Sequence, residues 1–294
     1  MVGQVSGRGR ATLIGFGAVM LWSLLALLTV GSAPVPPFQL NAVCFAIGGA
    51  IGLIWAAWSG GLPGLRRVSW RVYGFGTAGL FGYHALYFSA LRLAPAAEAG
   101  LIAYLWPLLI VVLASVATGE RLRGGYAAGA LLSFAGAALI VAGAGGRFES
   151  GALPGYGLAL LSAVVWAVYS VLSRRIGTVP TQSVAVYCLG TAGLSLVAHL
   201  AFEDTVWPAS AWGWASLAGL GAGPVGIAFY LWDTGVKRGN LHLLGVASYA
   251  APLLSTLALI LAGVTPFTGT IAGAAIMIIG GALVAARTAA AKTA

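Results

Sequence analysis

The chain has 294 residues, 60% of them hydrophobic and only 7% charged. Soluble domains carry about 25% charged residues, so a soluble globular protein is excluded. The net charge of +9 raises nucleic acid as a partner, but the placement of that charge, described below, argues against it.

A membrane-spanning helix needs about 20 mostly apolar residues. Ten windows qualify, roughly 12–30, 38–58, 72–91, 96–118, 124–144, 155–173, 181–201, 211–232, 240–262 and 267–286. Little chain remains between them, so no separate soluble domain fits. The first window is too long, and too closely followed by others, for a cleaved signal peptide. It carries Trp22. The third carries Tyr83, His84 and Tyr87, and also Gly74-Phe-Gly76-Thr-Ala-Gly79. That glycine spacing formally matches a dinucleotide fingerprint, which needs a strand before it and a helix after it. Here it lies inside an apolar helix, so it reads as helix packing.

The fourth window, from Glu98 to Leu122, holds Tyr104, Trp106 and a central Pro107, and closes on Gly119-Glu120-Arg121. The ninth holds Tyr249 and Pro252 in a similar sequence about 145 residues later. Proline inside a helix frees a carbonyl and bends the axis. Two such interrupted helices at matching positions of two halves point to a transport site, with Pro107 and Pro252 as bend or gating points. The ninth window ends in Ala262-Gly263-Val264-Thr265-Pro266, without the Gly-Glu of the fourth. A symmetric role for Glu120 is therefore in doubt.

Counting loops alternately from the N-terminus puts 13 of the 15 basic residues on one side, with only Arg92 and Arg147 on the other. Cytoplasmic loops are rich in Lys and Arg because such charge resists translocation. Both termini are therefore expected in the cytoplasm, and the basic excess is an orientation signal rather than a nucleic-acid patch.

Residues 1–145 and 146–294 read as duplicates. Trp22 matches Trp166, and Gly125, Gly129 and Gly136 match Gly269, Gly273 and Gly280 at a spacing of 144. Five spans per half is an odd number, so the halves must be inverted relative to each other. The loops agree, since Arg66-Arg67 has Glu203-Asp204 as its counterpart. The expected fold is an all-α membrane protein with ten transmembrane helices in two inverted five-helix repeats, the usual build of secondary transporters. Gly125-x-x-x-Gly129 and Gly269-x-x-x-Gly273 would make spans five and ten scaffold helices, packing on each other or on another subunit.

The two repeats, the Ala94-Pro95-Ala96 start, the Pro107-Leu-Leu core and the Gly119-Glu120-Arg121 end together resemble the drug/metabolite transporter superfamily, EamA type, and within it the bacterial aromatic amino-acid exporters. The resemblance covers nearly the whole chain. It implies export of small organic solutes, amino acids and aromatic ones first, across a bacterial inner membrane.

The residues themselves allow two readings of the mid-span aromatics. Trp22, Tyr83, Tyr87, Tyr104, Trp106, Trp166, Tyr169, Tyr187, Tyr230, Trp232 and Tyr249 either pack helix on helix or line a central cavity for a flat amphipathic substrate, and all but Tyr187 and Trp232 are taken as candidate site residues. Buried Tyr and Trp need a polar partner, which disfavours lipid-facing positions. Each aromatic pair would add about 0.5–1.5 kcal/mol, which suits an exporter that must release its cargo. Trp55, Trp58, Trp70, Trp207, Trp212 and Trp214 sit at span ends and read as interface belts.

Ionisable residues within spans are functional candidates. His84 is the deepest, as a structural hydrogen-bonder or as a substrate or proton contact. Glu98 lies in a first helical turn, where the dipole favours an acid, and His242 starts the matching ninth span. Asp233 and Lys237, four apart, read as a helix-surface pair rather than a gate. Cys44 and Cys188 suggest neither disulfide nor metal site. No cofactor is implied, and neither a catalytic constellation nor a P-loop is present.

The expected function is therefore alternating-access transport, by facilitated diffusion as one option, by a monomer or homodimer in the lipid bilayer. A drug or other metabolite exporter of the same fold, coupled by proton antiport, is the main alternative. An intramembrane enzyme or sensor is the remote one.

Overall fold

The structure is a computed structural model that describes residues 2–119, 121–143, 149–263 and 266–291. Glu120, Arg147, Val264, Thr265 and Lys292, all used in the sequence reading, lie outside the described residues. In a bilayer every backbone polar group must be satisfied within the protein, and the described residues are helical almost throughout. In chain order the helices are α1 Val2–Trp22, α2 Leu25–Gly31, α3 Pro37–Trp58, the short α4 Leu62–Leu65, α5 Trp70–Leu93, α6 Ala96–Ala103, α7 Trp106–Thr118, α8 Gly124–Gly143, α9 Leu153–Arg175, α10 Val184–Phe202, α11 Ala211–Ala222, α12 Ala228–Arg238, α13 Leu241–Ala247, α14 Ala250–Leu261 and α15 Gly269–Ala290.

Local sequence sets many of the ends. Ser69, Ser210, Asn240 and Thr268 accept backbone N–H bonds at the starts of α5, α11, α13 and α15, the ordinary N-cap arrangement. Gly119 closes α7 with a φ of 67°, a left-handed conformation that suits glycine.

Among the described residues, nine helical segments are long and apolar enough to cross a membrane. The remaining predicted window coincides with α5, a 24-residue helix. Its tyrosines, glycines and His84 dilute the apolarity that the other nine possess. Four of the predicted spans are not continuous helices. The first breaks at Ser23-Leu24, the fourth at Tyr104-Leu105 and the ninth at Ser248-Tyr249, while α11 and α12 are joined by a π-turn over Gly223–Ile227. The breaks in spans four and nine fall two to four residues before Pro107 and Pro252. Each proline then sits near the start of the following helix, where its missing N–H costs little.

Small residues set the close packings. Helix α8 lies against α15 and α3 against α10, while α5 packs on α9 and α1 on α12. A Cβ on Gly129 would come within 2.6 Å of the Gly281 carbonyl, and one on Gly136 within 2.8 Å of that of Ala274. Spans five and ten are thus packed together as expected, but through a different face of α15. Gly269 and Gly273 meet nothing within 4 Å, and Ala274, Ile278, Gly281 and Ala285 form the contact instead. In α5, Gly76 abuts the Tyr187 ring and Gly79 the Tyr169 ring. The apparent dinucleotide fingerprint is a helix-packing face, as the sequence reading holds.

Candidate functional site

Most of the mid-span aromatics converge. Trp22 at the end of α1 meets Trp106, Trp166 and Trp232 with ring centroids 6.0, 5.8 and 5.1 Å apart. Trp166 also contacts Tyr83 at 5.4 Å and Tyr169 at 5.3 Å, and Tyr83 stacks on Tyr87. His84 sits edge-on to Phe45 and Tyr83, both at 5.0 Å, and Phe229 links Phe45 to Trp166. Five broken or continuous spans and α3 contribute to one aromatic cluster. Edge-to-face and offset geometries of this kind are the favoured ones.

Polar atoms within the cluster are paired mainly with the backbone. The Trp22 indole N–H donates to the Pro224 carbonyl at 3.0 Å, at the π-turn. The Trp232 indole N–H donates to Ser170 Oγ at 3.1 Å. His84 Nδ1 lies 2.8 Å from the Leu80 carbonyl, so this nitrogen carries the proton and donates. In the neutral ring Nε2 is then an acceptor.

Burial divides the cluster. Trp106, Trp166, Tyr169 and Trp232 are buried, whereas Trp22, Tyr83, His84, Tyr87 and Tyr104 are half-buried. Every residue of α5 from Phe81 to Ser89 is half exposed. That stretch is partly covered all round the helix. Tyr104 caps α6 at the break in span four.

Two predicted site residues lie elsewhere. Tyr230 points away from the cluster and donates its hydroxyl to the Gly48 carbonyl at 2.8 Å, with its ring on Trp55. Tyr249 is fully buried beside Phe134, in the packing of α8, α14 and α15. Trp232, a mid-span aromatic left out of the candidate site residues, belongs to the cluster, as do Phe229 and Phe45, which the sequence reading does not single out. Trp232 carried a signal, a mid-span indole like Trp22 and Trp166. The two phenylalanines carried none beyond hydrophobicity.

The ionisable residues need one correction. Asp233 and Lys237 do pair at 2.8 Å, but the side chains are 1% and 2% exposed. They are a buried pair and not a helix-surface pair. The covering turn, residues 176–180, is remote in sequence, and Lys237 Nζ donates to its Val179 carbonyl at 3.0 Å. Glu98 is buried in the first turn of α6. His242 stacks on Tyr126 and pairs with Ser115 Oγ. The six span-end tryptophans are exposed, and Cys44 and Cys188 are buried free thiols.

A comparison with protein families matches the EamA-like transporter family twice, over residues 9–142 and 153–286. The chain is 54% identical to the aromatic amino acid exporter YddG of Ancylobacter novellus over 95% of its own length and 97% of that protein's. It is 29% identical to the protein of the same name from Salmonella typhimurium, covering 84% of this chain and 86% of that one. It is 27% identical to that of Escherichia coli, covering 94% and 96%. A solved crystal structure at 53% identity superposes with a TM-score of 0.90, covering 95% of this chain and 98% of the other.

Proposed function

The chain belongs to the EamA-like transporter family, and from that premise we propose that it exports aromatic amino acids across a bacterial inner membrane by alternating access. The observation that carries the reading is the convergence of Trp22, Tyr83, His84, Tyr87, Trp106 and Trp166 where the broken helices meet. A multi-pass membrane protein has few reasons to gather that many rings beside a half-exposed helix. A flat ring can slide between such faces, and His84 Nε2 offers an acceptor for an indole, phenol or ammonium donor. Names given to the relatives support the same cargo.

Alternating access in this reading uses two inverted repeats of five helices, residues 1–145 and 146–294, ten spans in all. The packing pattern supports the duplication. Exchanging the halves maps the α3–α10 and α8–α15 contacts onto themselves, and exchanges the α5–α9 contact with that of α1 on α12. The loop charges support cytoplasmic termini. Pro107 and Pro252, following the breaks in spans four and nine, are the bend points. The protein works as a transporter and not as an enzyme, as a monomer or homodimer.

Uptake into proteoliposomes of the purified protein tests this. Labelled phenylalanine, tryptophan, threonine and a quaternary ammonium dye are compared with and without an imposed pH gradient. Saturable aromatic flux without a gradient is expected. Flux of the dye alone would overturn the cargo, and flux only under a gradient would replace facilitated diffusion by proton antiport.

A further inference from the structure

Below the aromatic cluster the bundle is tied shut by cations that donate to backbone carbonyls. Lys237 of α12 reaches the Val179 carbonyl in the turn between α9 and α10. Arg174, at the end of α9, donates to the Gly239 carbonyl at 2.9 Å just beyond α12. Arg175 donates to the Ala117 carbonyl near the end of α7. Asp233 completes the layer, paired with Lys237 on the same helix. Its neighbour Trp232 is a member of the aromatic cluster, bonded through its indole to Ser170.

A buried ion pair is not needed for stability. Replacing both partners by neutral residues is often tolerated, whereas removing one strongly destabilises. What the pair offers here is portability. Asp233 and Lys237 are four residues apart on one helix, so they remain paired if α12 moves. The ammonium stays compensated in both positions, and what must break is its bond to Val179 together with the hydrogen bond that Asp233 accepts from Thr181 beside it. A cross-element ion pair would instead expose two unpaired charges to a low-dielectric interior on opening.

We infer that Asp233 and Lys237 form the separable clasp that closes one mouth of the transport path, the mouth between the α9–α10 turn and the α12–α13 turn. Lys237 makes the closing bond. Asp233 is a positioning residue that aims the ammonium at Val179 and keeps it charged when the mouth opens. Substrate among the rings would act on the clasp through Trp232, one residue from Asp233. The inference rests on the alternating-access reading, but not on the identity of the cargo.

The test is accessibility. Ser183, fully buried in the turn that leads into α10, is replaced by cysteine in a C44A/C188A background, and its reaction with a membrane-impermeant maleimide is timed from the clasp side. In D233N/K237M, expected to melt within a few degrees of the parent, labelling should run about tenfold faster, equivalent to about 1.4 kcal/mol of lost closure. Lys237→Arg keeps a cationic donor beside Asp233 and should label at least about threefold more slowly than D233N/K237M. Should the double variant melt too low to assay, D233N/K237L, which likewise leaves neither charge unpaired, is read in the same way, with labelling at least about threefold faster than the parent. Parent-rate labelling in the folded neutral variant would overturn the clasp, and so would an Arg variant as fast as D233N/K237M. Transport of phenylalanine by the parent protein is measured in parallel. Failure there refutes the cargo while leaving the labelling result intact.

Discussion

Trp166 and Tyr83 touch each other, yet their substitution should have different consequences. Trp166 is 3% exposed and wedged among Trp22, Trp106, Tyr169, Phe229 and Trp232. Trp166→Ala would leave a cavity costing about 3–5 kcal/mol, so its expected effect is a large fall in melting temperature. Tyr83 is half-buried, with its ring on Tyr87 and Trp166. Tyr83→Ala should leave melting nearly unchanged and remove about 0.5–1.5 kcal/mol of ring contact with substrate. The KM for tryptophan uptake should rise about 2–10-fold. A normally expressed Tyr83→Ala protein with wild-type KM and rate would remove Tyr83 from the site. At this scale the sequence is a partial guide. Aromatic character and mid-span depth select the cluster, but they also select Tyr230 and Tyr249. Tyr230 lies between Phe229 and Trp232 on α12, but about 100° round the helix from Phe229, and Tyr249 packs on Phe134 of α8. Asp233 and Lys237 were misread for a related reason. Their four-residue spacing is local, while their burial comes from a turn about 55 residues earlier in the chain.

Among the elements, the interrupted spans four and nine are the ones the proposed mechanism uses, and they cross where α13 meets α7. A Cβ on Gly245 would lie 3.0 Å from the Pro107 carbonyl. Pro107 lies in the first turn of α7, where its missing N–H leaves no carbonyl of that helix unpaired, and the absence of a side chain at Gly245 lets the second broken helix approach that backbone. Gly245→Val should push α13 from α7, cost about 1–3 kcal/mol and lower transport more than melting predicts, measured as initial uptake rate beside thermal denaturation in detergent. Equal losses in both would reduce this crossing to ordinary packing. Gly129→Val in α8 is the contrasting change. It separates α8 from α15, two helices with no part in the aromatic cluster, so its transport loss should follow the melting loss alone. The pairing of these two helices was legible from glycine spacing. The face α15 uses was not, since Gly269 and Gly273 share the motif and yet face open space. A small-residue motif states that a helix can be approached closely, and only its partner decides where.

Across the whole molecule the two ends of the path are fastened differently. At the end opposite the Asp233–Lys237 layer, the Glu203 carboxylate accepts the backbone N–H groups of Phe38 and Gln39 at the start of α3, at 3.0 and 3.1 Å. It also pairs with Arg92 at 2.7 Å and lies 3.2 Å from His199 Nδ1. A carboxylate at a helix N-terminus is favoured by the exposed N–H groups and the helix dipole. One residue thereby joins α3, α5 and α10. Arg92 is 46% exposed, so the ion pair alone contributes little, while the buried cap contributes more. Glu203→Gln should therefore destabilise by about 1–3 kcal/mol, and Arg92→Gln by less than about 1 kcal/mol, both read from thermal melting. Equal losses would mean that the bridge to α5, and not the cap of α3, holds this end. In the proposed orientation this end faces outside, and that orientation has its own test. Ala209→Cys, beyond α10, should react with an impermeant maleimide in intact spheroplasts, whereas Pro63→Cys, between α3 and α5, should react only after lysis. The reverse pattern would invert the molecule in the membrane and make the Asp233–Lys237 clasp the outer closure, turning the proposed export path around without altering a single contact within it.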